Sequence, residues 1–318
     1  MFAKILSVTF TIFISFQINS SDLALITNQD SNKLDVIDLS KEEKILEIVV
    51  GKSPAAIQVD KESKRAFVSN PESNNISVIN LENNSNIFIN SIDSPMGLAL
   101  EKKKNRLFVA NSYSNSIIVI DLNILKKIKQ IEVGKSPAGL YLDEKREKLF
   151  VANREDNNMY VLNTENFKII KKIDVEKAPF GIYSESYLDF VVVTNVQSNS
   201  VSIIDKNSLK IIENIKVGKW PYSAIHNKQK NQLFVTNQRG DSISIINLNN
   251  YSLVTTLEDI CEYPEGIDIS YTENIIVVAC WFEDNIILVD LNNFNKKKEI
   301  QTSGGPRAFG KFILSDND

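Results

Sequence analysis

The feature that most constrains this chain is a unit of about 42 residues that occurs seven times. Each unit contains an apolar run that ends in a small residue and an asparagine, such as RLFVAN or QLFVTN. The residues that end this run are Asn28, Asn70, Asn111, Asn153, Asn195, Asn237 and Cys280. A proline recurs with the same period, at Pro54, Pro95, Pro137, Pro179, Pro221, Pro264 and Pro306. Markers that stay in step over seven periods indicate a repeat architecture.

Each unit holds four short runs rich in Ile, Val and Phe, separated by Asn, Asp, Gly, Ser and Pro. These are the signals of strands and turns, and no window sustains a helical period. A period near 42 residues with four antiparallel strands is typical of one blade of a β-propeller. The sequence therefore predicts an all-β fold, a seven-bladed β-propeller with four-stranded blades.

Two further positions of the repeat have a conformational explanation. Four residues after the first marker stands a second Asn or Asp: Asn32, Asn74, Asn115, Asn157, Asn199, Asp241 and Asp284. Because Asn and Asp tolerate left-handed backbone angles, we expect these residues in the turns between second and third strands. Two residues after each proline stands a small residue: Ala56, Gly97, Gly139, Gly181, Ser223, Gly266 and Ala308. We expect only small side chains there because the blades crowd together near the axis.

The phase of the repeat predicts how the ring closes. The first run after the N-terminal segment, LALITN, is a second strand that lacks a first strand. The last run, GKFIL, is a first strand that lacks a blade. Pairing the two completes one blade and removes open sheet edges, which invite aggregation.

The N-terminal segment has the layout of a secretory signal. Residues 1–4 include a lysine, residues 5–16 are mostly apolar, and the next residues are polar. The apolar stretch is too short to cross a bilayer as a permanent helix. We therefore expect a signal peptide at residues 1–20 and one propeller domain at residues 21–318, periplasmic or secreted and not inserted in the membrane after cleavage. The alternative is an uncleaved N-terminal anchor.

Composition excludes several classes of function. The net charge of −4 argues against a nucleic-acid partner, which requires a basic face. One histidine and two cysteines exclude multi-histidine metal centres and four-cysteine zinc sites. The chain has no CxxCH, glycine-rich phosphate loop or GxSxG motif. We expect no cofactor, no bound metal and a monomer.

The repeat resembles a known family. Its VTN, VAN and VSN endings, followed by strands such as VSIID and by G-K-x-P, are similar to the YVTN family of β-propeller repeats over roughly residues 22–318. Cys280 departs from the pattern in place of the seventh Asn, and phenylalanine usually replaces the tyrosine. The resemblance implies an exported binding or scaffolding platform. No catalytic motif belongs to the repeat, so it implies no catalytic residue.

Residues that differ between equivalent positions are the candidates for function. Beside the prolines and after the first Asn marker, the later repeats carry Phe180, Trp220, Tyr222, Tyr263, Glu265, Trp281 and Arg307. Strand directions place these positions on one rim of the channel. Aromatic rings beside one carboxylate and one guanidinium are typical of a pocket or a docking site. We therefore predict binding of a protein partner or a small molecule there; the alternative is that the rings plug the channel.

Two other functions remain open. A seven-bladed lactonase-like hydrolase would use Glu265 and Arg307, with His226 near the channel mouth. The protein could also be an accessory of a periplasmic redox enzyme. We favour a non-enzymatic protein, because propeller enzymes usually bring several polar groups together and few converge here.

Cys261 and Cys280 belong to the same rim of neighbouring or shared blades. A disulfide between them requires a Cα separation below about 7 Å. The alternative is two buried free thiols. Their spacing is not that of a CxxC redox motif.

Overall fold

The computed structural model describes residues 21–315, so the predicted signal peptide at residues 1–20 lies outside the described residues. These residues form seven four-stranded antiparallel sheets. The sheets surround a central channel lined by their first strands, which confirms the predicted seven-bladed propeller.

Each blade runs from a first strand at the channel to a fourth strand at the outside. The first strands are β28 (Ile313–Leu314) in blade 1, then β4 (Ile57–Asp60), β8 (Pro95–Glu101), β12 (Pro137–Asp143), β16 (Pro179–Tyr183), β20 (Pro221–Asn227) and β24 (Pro264–Ser270). The second strands are β1 (Leu23–Asn28), β5 (Arg65–Asn70), β9 (Arg106–Asn111), β13 (Lys148–Asn153), β17 (Phe190–Asn195), β21 (Gln232–Asn237) and β25 (Ile275–Cys280).

The third strands are β2 (Lys33–Asp38), β6 (Asn75–Asn80), β10 (Ser116–Asp121), β14 (Asn158–Asn163), β18 (Ser200–Asp205), β22 (Ser242–Asn247) and β26 (Asn285–Asp290). The fourth strands are β3 (Glu43–Val49), β7 (Asn86–Asn90), β11 (Lys126–Glu132), β15 (Ile169–Asp174), β19 (Ile211–Lys216), β23 (Ser252–Leu257) and β27 (Lys296–Gln301). Four single 3-10 turns follow second strands, at Pro71–Ser73, Val196–Ser198, Gln238–Gly240 and Trp281–Glu283.

The core lies between neighbouring blades. Second and third strands are buried on both faces, which explains why their sequences are almost continuously apolar rather than alternating. Phe67, Phe108, Phe150 and Phe234 occupy the same second-strand position and are fully buried. No helix within residues 21–315 is long and apolar enough to span a membrane.

One hydrogen bond recurs at all seven corners of the ring. The second Asn or Asp marker has a positive φ, between 49° and 60°, as the sequence predicts. Its side-chain oxygen accepts the backbone N–H of the residue before the next proline, at 2.8–3.1 Å. That residue also has a positive φ, including Trp220 and Tyr263, whose bulk disfavours this region. We call this contact the corner bond.

Crowding near the axis is also confirmed. A Cβ atom on Gly139 would lie 2.3 Å from the carbonyl oxygen of Phe180 in the next blade. A Cβ atom on Gly97 would lie 2.2 Å from the carbonyl oxygen of Ala138. Backbones of adjacent first strands therefore approach too closely for a larger side chain to fit without a shift.

The ring closes as predicted, by pairing of β28 with β1. Leu314 lies opposite Leu23, and Ile313 lies opposite Ala24. A carboxylate of blade 7 also holds the closing strand, because Asp268 accepts the backbone N–H groups of Phe312 and Ile313, each at 3.0 Å. Burial raises the pKa of Asp268 from 3.8 to about 6, although Lys311 and these N–H donors oppose the shift.

Because the pKa of Asp268 is raised, the contribution of this residue to the stability of the closed ring depends on pH. The folded protein holds the Asp268 proton more tightly than the unfolded chain, so this group's contribution to stability falls as the pH rises from 3.8 to about 6. We expect wild type to lose about 2 kcal/mol of unfolding free energy relative to Asp268→Asn over that interval. Urea unfolding of both proteins at several pH values tests this. Parallel pH profiles would contradict it.

Candidate functional site

The sheet register brings the predicted site residues to one end of the channel. In six blades the proline lies opposite the marker that ends the second strand, as in Pro221 opposite Asn237 and Pro264 opposite Cys280. The residues beside the prolines and after the markers therefore share this end. We call it the proline rim, and the opposite end the distal mouth.

Four of the predicted residues pack together inside the channel. Phe180, Tyr222, Glu265 and Arg307 each follow a proline, in blades 5, 6, 7 and 1. The rings of Phe180 and Tyr222 stack at 4.2 Å between centroids, and Phe309 contacts them at 5.3 and 5.1 Å. We call these five residues the channel plug.

The polar part of the plug is internally paired. Arg307 donates from Nε to Glu265 at 2.7 Å and from Nη2 to the Tyr222 hydroxyl at 3.2 Å. The Gln238 amide donates to the other Glu265 oxygen. Burial raises the pKa of Glu265, against the opposing effect of Arg307, and raises the pKa of Tyr222 to about 12. Tyr222 is therefore a neutral phenol at physiological pH, and the plug places rings and paired charges rather than a free base.

The other three predicted residues lie around the plug. Tyr263 and Trp281 are 6.0 Å apart between ring centroids, and both contact Phe282, which is 62% exposed. We call Tyr263, Trp281 and Phe282 the corner aromatics. The Trp281 indole donates to Gln29 of blade 1 at 3.0 Å. Trp220 packs against the apolar side of the plug.

Sequence reasoning did not select two arginines at this rim. The Arg154 guanidinium carbon lies 5.9 Å from the centre of the Phe180 ring, and that of Arg239 lies 3.6 Å from the centre of the Trp220 ring. Within residues 21–315, neither guanidinium forms an ion pair with a carboxylate. The charges of Arg154 and Arg307 both act to lower the pKa of Tyr222, so both are near its hydroxyl. The available signal was an arginine after the fourth Asn marker, where no other repeat has a charge.

The two cysteines form a disulfide with a Cα separation of 5.9 Å. Other blades explain its position, because Cys261 stands where three earlier repeats have glycine and Cys280 where they have asparagine. A Cβ atom on Gly218 would lie 2.5 Å from the side-chain amide of Asn237. In blade 7 a covalent bond thus replaces the contact between glycine and asparagine.

This substitution predicts the behaviour of two variants. Cys261→Gly with Cys280→Asn restores the pair used elsewhere, so it should fold and lose only the cross-link, about 3 kcal/mol of unfolding free energy. Cys280→Asn alone should lose more, because the Cys261 side chain then occupies space that the asparagine needs. Urea unfolding measures both variants. Equal stability of the single and double variants would contradict this account.

His226 lies away from the plug. It is five residues after Pro221 in β20, about 16 Å along the strand toward the distal mouth. Its Nδ1 is 3.1 Å from the Tyr187 hydroxyl and its Nε2 is 3.1 Å from the Asn231 side-chain oxygen. Burial lowers the pKa of His226, which favours the neutral ring. Over the described part of the chain, no three His, Cys, Asp or Glu residues are grouped to hold a metal ion.

Comparison with known proteins agrees with the architecture. A family model described as a YNCE-like beta-propeller matches residues 25–147. The chain is a repeat-built β-propeller. The match does not reach the finer level of the YVTN repeat, which stays a prediction. No curated protein sequence matches the chain significantly.

Several solved structures share the fold at low sequence identity. A protein from Lactobacillus plantarum has a TM-score of 0.78 at 11% identity, covering 92% of this chain and 98% of that one. Kuenenia stuttgartiensis hydrazine synthase has a TM-score of 0.74 at 14% identity, covering 91% and 100%. Dihydro-heme d1 dehydrogenase NirN has a TM-score of 0.70 at 10% identity, covering 94% and 76%. At these identities the similarity concerns the fold alone.

Proposed function

We propose that this protein is an exported, non-enzymatic binding module that holds a small anionic molecule at its proline rim. The observation that carries the proposal is Arg154, a guanidinium above the Phe180 ring with no carboxylate partner within residues 21–315. Arginine is the side chain best suited to planar recognition of carboxylates and phosphates.

Charge around the plug supports an anion as ligand. Arg154 and Arg307 contribute two positive charges, and Glu265 contributes one negative charge when ionised. An anion bound between the two guanidinium groups would neutralise the excess charge. The partly exposed Trp220 ring, which packs against the plug, offers apolar contact to the rest of such a ligand.

The same contacts favour binding over catalysis. Glu265 and Arg307, the residues that a hydrolase would use, are hydrogen-bonded to each other and to neighbouring side chains. His226 is near the other end of β20, beyond contact with either of them. Export rests on the N-terminal sequence pattern, and a disulfide is consistent with an oxidising compartment.

A pair of probes with the same ring system and opposite charge tests the rim. We expect naphthoate to bind at one site and naphthylmethylamine to bind at least about tenfold more weakly, because the local charge is positive. Arg154→Gln should weaken naphthoate binding about tenfold, and Arg154→Lys should retain part of it. Fluorescence titration gives each dissociation constant.

The matched control is Lys177→Gln, which removes one positive charge from an exposed turn of the same rim. It should leave naphthoate binding unchanged. Equal binding of the two probes, or undiminished naphthoate binding by Arg154→Gln, would contradict the proposal.

A protein partner is the second candidate, and the corner aromatics favour it. Phe282 is 62% exposed and its ring stacks on Tyr263 at 5.8 Å, so the cluster offers aromatic contact area to a docking surface. An accessory role beside a redox enzyme is a narrower form of this proposal.

The partner proposal has its own variant. Phe282→Ser should abolish the stoichiometric association of one protein with the immobilised propeller, because it removes the exposed ring of the cluster. Tyr113→Ser is the matched control, since Tyr113 is 85% exposed at the corresponding corner of blade 3. Co-purification followed by quantitative mass spectrometry measures the association. Equal recovery with both variants would exclude the corner aromatics as the docking site.

A further inference from the structure

A cavity of about 250 Å³ lies in the channel, between the plug and the distal mouth. At one end it is lined by Phe180, Tyr222 and Phe309 of the plug. At the other end it is lined by Glu185 and Lys311. Its walls are mostly the apolar side chains of first strands, including Leu98, Leu140, Ile182 and Ile267.

An ion pair crosses the channel at the distal end of the cavity. Lys311 lies 2.6 Å from Glu185, measured between Nζ and Oε1. Glu185 follows β16 in blade 5, and Lys311 precedes β28 in blade 1, so the two residues come from opposite walls. The pair neutralises the two charged side chains that line the cavity. The Lys311 side chain is 48% exposed, so the pair lies where the cavity meets solvent.

One residue of the repeat helps to create this space. Three positions after the proline, six repeats have a large apolar residue: Ile57, Leu98, Leu140, Ile182, Ile267 and Phe309. The seventh has Ala224, which lines the cavity. The fold accepts larger side chains at this position, because its six equivalents carry them. Ala224, which lies in the same packing cluster as Tyr183, therefore leaves space at the cavity wall that a larger side chain would occupy.

We propose that this cavity is a second binding site, for a small, neutral and mostly apolar molecule that enters through the distal mouth. Its walls give such a molecule apolar contacts, and its charged groups are already paired with each other. The site differs from the proline rim in location and in charge. It does not depend on the function proposed for the rim.

N-phenylnaphthylamine, a neutral probe whose fluorescence rises in apolar surroundings, tests this site. We expect saturable binding to wild type with a stoichiometry of about one, because the cavity has room for one small molecule. Ala224→Ile should weaken binding at least about tenfold by filling the cavity. The variant should fold, because the neighbouring blade interface already packs Ile182 beside a tyrosine, Tyr141.

Two further variants keep the test decisive. Thr255→Ile adds the same side chain to the exposed outer strand of the same blade and should leave probe binding unchanged. Ala99→Ile, at another cavity wall, places an isoleucine beside Leu140, and the equivalent positions between blades 6 and 7 already hold two large apolar residues, Ile225 and Ile267. It should weaken binding as well, and it replaces Ala224→Ile if that protein does not fold.

Undiminished probe binding by a folded Ala224→Ile or Ala99→Ile variant would overturn the proposal. So would the absence of saturable binding to wild type. The naphthoate titration distinguishes the two sites, because Arg154→Gln should weaken naphthoate without affecting the neutral probe.

Discussion

The corner bond is the interaction on which the propeller depends. At each of seven corners, an Asn or Asp side chain accepts the backbone N–H of the residue before the proline. The bond links the turn of one blade to the start of the next first strand, so it sets the blade-to-blade connection. Because it uses only the backbone of the pre-proline residue, that side chain is free to vary. Serine, alanine, glycine, tryptophan and tyrosine all occur there. The turn therefore keeps its geometry when the side chain at this position is an aromatic ring, as it is at Trp220 and Tyr263.

Hydrogen bonds between blades explain another part of the repeat. In blades 1, 5 and 6 the threonine before the asparagine marker donates to a carbonyl oxygen of the following blade. Thr27, Thr194 and Thr236 make this bond at 2.8, 3.1 and 2.8 Å. The VTN ending is therefore a connection between blades as well as a strand end. Blades with alanine at this position lack the hydroxyl and rely on packing.

The sequence predicted the blades, the turns and the ring closure. Each of these depends on local sequence signals, and the same signals occur in all seven repeats. Period, turn residues and strand phase fix which strands pair, and no long-range information is needed. It also placed Phe180, Tyr222, Glu265 and Arg307 at one rim, since the register follows from the repeat. It did not separate these four plug residues from the partly exposed rings of Trp220, Tyr263 and Trp281. Side-chain direction depends on packing across the channel, which the repeat does not encode.

Arg154 and Ala224 show two kinds of signal that sequence reasoning passed over. Arg154 was proposed as an anion-binding residue because it has no carboxylate partner among residues 21–315, and this is visible only in three dimensions. Ala224 matters through space, because a small residue in one of seven equivalent positions is unremarkable until the cavity beside it is seen. Comparing repeats for the smallest residue, and not only for the most reactive one, would have indicated it.

The plug has a consequence for the integrity of the ring. Its residues come from blades 5, 6, 7 and 1, and Arg307 lies on the segment that leads into the closing strand β28 (Ile313–Leu314). The pairing of β28 with β1 is the seam at which the ring can open, and Arg307 joins that seam to Glu265 and Tyr222. A molecule that binds Arg307 only while the ring is closed therefore adds its binding free energy to the free energy needed to separate β28 from β1. Occupancy of the rim and resistance to unfolding are thermodynamically linked in this architecture.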